Sequence, residues 1–208
     1  DVYKRQLYEL GGNNGMIVSR HANIDLAVRG IVFGAVGTAG QRCTTLRRLI
    51  VHTSVYDVLM TKLKSAYASL PVGDNFKEET LVGPLINQES VDRMQSALEQ
   101  AKAKGYTVHG GEVVEGCSVR PAIVEATEQC DLIKTETFAP ILYVLKYSDL
   151  DEAINIHNAV PQGLSSCIFT DNVQEAETFT SAVGSDCGIV NINICLLYTS
   201  DAADEKRC

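Results

Sequence analysis

The stretch from Ile141 to Ile192, ILYVLKYSDLDEAINIHNAVPQGLSSCIFTDNVQEAETFTSAVGSDCGIVNI, decides the fold class of this chain. It opens with ILYVLKY at Ile141 to Tyr147, an aliphatic and aromatic run that is the strongest strand in the sequence. A helical pattern follows over Asp149 to Asn158, then a second apolar run at Leu164 to Phe169. Another helical pattern at Asn172 to Val183 leads to a third short run at Gly188 to Ile192. Short apolar strands alternating with longer helices predict parallel pairing, because a parallel connection must return the chain over the face of the sheet.

The same alternation extends upstream. Met16 to Val18 reads as a short buried strand, and Asn23 to Val36 places Ile24, Ala27, Ile31, Val32 and Ala35 near helical spacing, with Asn23 as N-cap. RRLIVH at Arg47 to His52 is a further strand. In the helix expected over Ser54 to Leu70, the residues Val55, Leu59, Leu63, Ala66 and Leu70 form the apolar stripe. A loop over Pro71 to Ile86 precedes a helix over Asn87 to Lys104, built on Val91, Met94, Leu98 and Ala101. A strand near Tyr106 to His109 closes at Gly110 and Gly111. The expectation is an α/β fold with a mostly parallel sheet covered by helices.

Composition narrows the function. The chain has 208 residues, 45% hydrophobic and 21% charged, enough for one sizeable core or two small ones. Its net charge is -8, and no run of Lys and Arg reaches four residues, which argues against a nucleic-acid or anionic-membrane partner. The apolar stretches are broken before the roughly 18 to 20 residues of a membrane span, and no signal peptide is evident. These features predict a cytoplasmic protein that works on small molecules. The seven cysteines, at positions 43, 117, 130, 167, 187, 195 and 208, show no CxxC and no Cys/His ligand spacing. Reduced thiols are therefore expected, with neither a disulfide framework nor a metal site.

The two ends are expected to be foreign to the protein. One choice of codons for DVYKRQ at Asp1 to Gln6 has a reverse complement whose second frame reads CLLYTS, the string at Cys195 to Ser200. Both strings then come from opposite strands of one DNA element that resembles a transposase-type sequencing adapter. Residues 1–6 and 195–208 are on this reading an artefact, and residues 7–194 are the natural segment.

Three residues carry candidate chemistry. Cys43 follows Gly37, Gly40 and Gln41 and precedes Thr44 and Thr45, at a break between helix and strand where backbone N–H groups can face an oxyanion. Arg42 beside it could favour the thiolate, the nucleophilic form. Glu9 stands before the double glycine of YELGGNN, which permits a tight turn or a close approach to another group. Glu136 lies in TETFAP, ahead of the Ile141 strand. Singly, each has a plainer reading: a small buried thiol, or a solvated carboxylate.

Together the motifs are specific. ELGGNN at Glu9 to Asn14, GQRCTT at Gly40 to Thr45 and ETFAPIL at Glu136 to Leu142 resemble, in order and spacing, the aldehyde dehydrogenase superfamily. QGLSSCIFT at Gln162 to Thr170 and GSDCGIVNIN at Gly184 to Asn193 extend the resemblance over nearly all of residues 7–194. The arginine before Cys43, the threonine pair after it, GGNN and GSDCGIVN are similar to the α-aminoadipic semialdehyde dehydrogenase (antiquitin) branch.

This resemblance implies an aldehyde dehydrogenase catalytic domain in which Cys43 attacks the aldehyde, forming a thiohemiacetal and then a thioester. Glu9 would activate the water that hydrolyses the thioester. NAD is the implied cofactor, with Glu136 on the nicotinamide-side ribose, Phe138 flanking the cofactor, and Leu10 and Gly11 near the nicotinamide. Arg42 and Thr44 would face the substrate, a small aldehyde such as an amino-dicarboxylic semialdehyde of lysine catabolism. The full-length enzyme is expected to be a homo-oligomer, a homotetramer on the resemblance. No glycine-rich strand-to-helix turn precedes Glu9, so residues 7–194 are expected to hold the catalytic domain with only the edge of the cofactor domain, inactive alone. Two alternatives stand beside this reading: a betaine aldehyde or succinic semialdehyde branch, and a non-catalytic structural relative, against which intact Cys43 and Glu9 argue.

Overall fold

The computed structural model describes residues 10–196, so Glu9 and most of the two ends lie outside the described residues. The strand β1 (Asn14–Val18) is followed by α1 (Ile24–Val36), β2 (Leu46–His52) and α2 (Thr53–Ala68). Next come α3 (Gln88–Ala103), β3 (Thr107–Gly110), β4 (Val113–Glu115), β5 (Ser118–Val119), β6 (Ala122–Glu125) and α4 (Asp131–Lys134). The chain then runs through β7 (Ile141–Tyr147), α5 (Leu150–Asn158), β8 (Ser165–Phe169), α6 (Val173–Thr180) and β9 (Ile189–Ile192).

Seven of these strands form one sheet in the order β3-β6-β7-β2-β1-β8-β9. Every pairing is parallel except that of β3 with β6 at one edge. The central strands are covered on both faces: β1, β2 and β8 are buried at every residue, the polar Asn14, Arg47, Arg48, His52, Ser165 and Ser166 included. β4 and β5 pair separately. The α/β architecture with a mostly parallel sheet agrees with the sequence reading. Among the described residues, no helix is long and apolar enough to cross a membrane.

Caps fix the helix starts. Asn23 accepts from the Leu26 amide, Asn87 from Ser90, Asp149 from Glu152, and Asn172 from Gln174 and Glu175. In α2 the buried face runs through Tyr56, Leu59, Met60, Leu63 and Tyr67, so the stripe expected through Val55, Ala66 and Leu70 is turned toward the tyrosines. Tyr56 can face inward because its hydroxyl donates to Glu125 at 2.8 Å. The helical pattern expected to reach Val183 stops at Thr180. Gly184 folds back so tightly that a Cβ there would strike the Thr178 and Phe179 carbonyls, and the Ser185 amide donates to Phe179 O at 2.8 Å.

Candidate active site

Each sequence-derived segment with candidate chemistry enters the sheet at the amino end of a parallel strand. Gly11 precedes β1, Cys43 precedes β2, Glu136 precedes β7, Gln162 precedes β8 and Cys187 precedes β9. Open α/β sheets generally bind ligands at the carboxyl ends of their strands, so this placement is a departure. It is produced by a set of close backbone approaches.

The double glycine provides two of them. A Cβ at Gly11 would collide with the Glu136 carboxylate, and one at Gly12 would stand 2.8 Å from the Cys43 carbonyl oxygen. Close approach, rather than an unusual φ, is therefore what excludes a side chain at both positions. The two asparagines that follow complete the seat. Asn14 Nδ2 donates to the carbonyls of Cys43 at 2.8 Å and Thr45 at 2.9 Å, while its Oδ1 accepts from the Ser165 amide at 2.9 Å. Asn13 Nδ2 donates to Ile133 O at 2.7 Å.

Cys43 sits half-buried in a turn closed from both sides. The Thr45 amide donates to Arg42 O at 3.1 Å, and the Arg42 amide donates to Thr45 Oγ1 at 3.1 Å. The chain reaches this turn through three successive left-handed residues, Thr38 (φ 54), Ala39 (φ 52) and Gly40 (φ 71). Only glycine fits at the third, because a Cβ on Gly40 would overlap the backbone of Ala139 and Pro140. That contact presses the nucleophile loop against the segment carrying Glu136. Phe138 in the same segment is also left-handed (φ 57), an uncommon and strained state for a bulky residue, of the kind that clusters at functional sites.

Arg47 joins these pieces. Its Nη2 lies 2.9 Å from Glu136 Oε1 and donates to Arg42 O at 3.1 Å, its Nε donates to Gly12 O at 3.1 Å, and its guanidinium carbon stands 5.4 Å from the Phe138 ring centroid. The Gly12 amide also donates to Glu136 Oε1 at 3.3 Å. Burial pushes the Arg47 pKa below its usual range, opposed by Glu136 and, more weakly, by Cys43. The neighbouring Arg48 is fully buried. It donates to Asn13 O, Asn13 Oδ1, Gln129 Oε1, Ile156 O and His157 O. Desolvation lowers its pKa to about 10.

Replacing Arg48 by Met is expected to destabilise the protein by about 3 kcal/mol or more, since several buried carbonyls lose their donor at once. A urea titration checks this, and an unchanged midpoint contradicts it.

The structure does not bring every candidate residue to one place. Leu10 is exposed, and with Gly11 it lines a cavity of about 420 Å³ together with His157, Gln162, Gly163 and Cys187. Burial and then Arg48 depress the His157 imidazole to about 3, so it is neutral there. Arg42 is exposed, its Nε donating to Thr38 Oγ1 at 2.7 Å, and it lines a separate cavity of about 520 Å³ beside Val32, Phe33, Val36 and Leu81. Thr44 is buried. Arg47, Arg48, Asn13 and Asn14 were not singled out in the sequence as site residues. The signal available was two adjacent arginines in a strand otherwise apolar enough to be buried.

The model of the aldehyde dehydrogenase family matches residues 1–203. "Aldehyde dehydrogenase family 7 member B4" of Arabidopsis thaliana is 47% identical over 193 residues, covering 91% of this chain and 38% of that protein. "Alpha-aminoadipic semialdehyde dehydrogenase" of Bos taurus is 46% identical over 196 residues, covering 92% of this chain and 36% of that protein. Among solved structures, a betaine aldehyde dehydrogenase point mutant from Staphylococcus aureus in complex with NAD+ superimposes with a TM-score of 0.86 at 28% identity. That match covers 91% of this chain and 40% of the other. The chain thus spans less than half the length of these relatives.

Proposed function

We propose, since the chain belongs to the aldehyde dehydrogenase family, that it is the catalytic portion of an NAD-dependent enzyme that oxidises an aldehyde to its acid through a covalent bond to Cys43. One observation carries the reading: adjacent glycines seat the nucleophile loop and the Glu136 carboxylate on the same four-residue segment, Gly12 against the Cys43 carbonyl and Gly11 against Glu136.

The Cys43 thiolate adds to the aldehyde carbon, giving a thiohemiacetal whose oxyanion lies near the Cys43 backbone amide. Bound NAD would supply the hydride acceptor. Glu136 fits the role of ribose ligand, because its side chain stays 26% exposed while the missing Cβ of Gly11 lets its carboxylate seat against the Gly11 backbone. Phe138 would flank the bound cofactor, and Leu10 and Gly11 would face its nicotinamide. Glu9, one residue before Leu10, then deprotonates the water that releases the acid from the Cys43 thioester.

The substrate is an amino-dicarboxylic semialdehyde such as α-aminoadipic semialdehyde, which places the enzyme in lysine catabolism. The 46% identity to the Bos taurus protein of that name supports this choice. Arg42 pairs with the distant carboxylate, and Thr44, buried beside Cys43, is the second residue assigned to the substrate side. A homo-oligomeric whole enzyme, such as a homotetramer, belongs to the same reading. Free thiols at Cys43, Cys117, Cys130, Cys167 and Cys187, all within residues 7–194, support a reducing compartment such as the cytoplasm.

Arg42→Ala in the full-length enzyme is expected to lower kcat/KM for α-aminoadipic semialdehyde by about ten- to a hundredfold, the size of one charge-assisted contact. A neutral aliphatic aldehyde should lose far less. Equal losses on both would remove Arg42 from substrate recognition and reopen another branch, such as one acting on betaine aldehyde.

A further inference from the structure

The buried cation at the centre of the site is neither the nucleophile nor a substrate ligand in the reading above. The Arg47 side chain is 4% exposed, and burying a guanidinium is costly even when it is paired. Its contacts suggest what it does there. Through one nitrogen, Nη2, it meets both Glu136 Oε1 and the carbonyl of Arg42, the residue before Cys43. Through Nε it holds the carbonyl of Gly12, whose amide in turn donates to the same Glu136 oxygen.

We propose that Arg47 is a positioning residue that couples cofactor occupancy to the nucleophile turn. It holds Glu136 Oε1 on the Gly12 side and leaves Oε2 to accept from the hydroxyls of the nicotinamide-side ribose. Through Nη2 it ties that carboxylate to the turn that presents Cys43. The inference rests on the functional reading above.

The coupling follows from the sharing of one donor. A sugar hydroxyl that donates to Glu136 reduces the carboxylate's pull on Nη2, and the hold of Nη2 on Arg42 O tightens in exchange. By linkage, a change in the Cys43 turn must alter cofactor affinity by the same factor. An ammonium could replace the charge but not the planar fork that reaches Gly12 O, Arg42 O and Glu136 together.

The test uses the full-length enzyme with Arg47→Lys and Arg47→Met. Two quantities are measured: NADH affinity by fluorescence titration, and the ratio of Cys43 alkylation rates by iodoacetamide with and without saturating NADH. Simple shielding of Cys43 by NADH is common to all variants and cancels when these ratios are compared. Arg47→Met is expected to weaken NADH binding about tenfold and to shift the alkylation ratio at least about threefold from wild type. Arg47→Lys should recover most of the affinity and leave the ratio shifted. It also keeps the test readable if Arg47→Met does not fold. Normal NADH binding by wild type with unchanged affinity in Arg47→Met overturns the coupling alone. An alkylation ratio that is the same in all three proteins does so too. A wild-type enzyme that does not bind NADH overturns the dehydrogenase reading and the coupling with it.

Discussion

In the full-length enzyme, Cys43→Ala is expected to cut aldehyde oxidation about a thousandfold or more, to the level of background NADH formation. The reaction as proposed passes through a bond to sulfur, so removing that sulfur removes the path rather than slowing a step on it. The other thiols near the sheet are poor substitutes. Cys167 is buried within β8, donates to Ile194 O at 2.9 Å, and burial raises its pKa to about 12. Cys187 packs against Gly163 with its Sγ 3.7 Å from His157 Nε2, in the cavity beside Leu10. Cys43 is only half-buried in a surface turn, so its loss should cost little stability, and retained thermal stability would separate lost chemistry from lost folding. Substantial dehydrogenase turnover in the alanine variant would remove Cys43 from the mechanism.

The fold was legible wherever one segment carried its own signal. ILYVLKY is a strand with the bounds read from the sequence, because a parallel strand buried everywhere but at Lys146 reads as a nearly unbroken apolar run. Asn23 caps α1 as expected, because an N-cap is a contact between residues three apart. β6 was not legible. It has four residues, AIVE, directly after Pro121, and its place between β3 and β7 is fixed by partners distant in sequence. The β4–β5 pair turns through Gly116 (φ 52) in three- and two-residue strands too short to show alternation.

The site divides along the same line. Cys43, Glu136 and the double glycine were readable as motifs, but the reason for each glycine lies across the fold, against Glu136 and the Cys43 carbonyl. Arg47 and Arg48 were read only as the start of a strand. Their partners sit 35 or more residues away, apart from Arg42 O, and no local pattern encodes such distances.

The second large effect concerns Glu9. In Glu9→Gln, the first turnover should survive while the steady state falls by about a hundred- to ten-thousandfold, the range spanned by loss of a general base. Acylation of Cys43 and release of the first NADH precede the step that needs Glu9, because the base acts only on the water that attacks the thioester. Rapid mixing should therefore show a burst approaching one NADH per active site, followed by a nearly flat trace. The amide keeps the size and polarity of the carboxylate, so folding should be little disturbed. A steady-state rate equal to that of wild type would remove Glu9 from its role.

The same variant gives the most direct view of the covalent intermediate. Glu9→Gln enzyme mixed with NAD and α-aminoadipic semialdehyde, quenched in acid during the flat phase and digested, should yield one peptide heavier by the acyl group. That peptide should contain Cys43, with the mass lost on treatment with hydroxylamine, as a thioester requires. An adduct on a peptide lacking Cys43, or a full NADH burst with no acylated peptide at all, would contradict oxidation through Cys43.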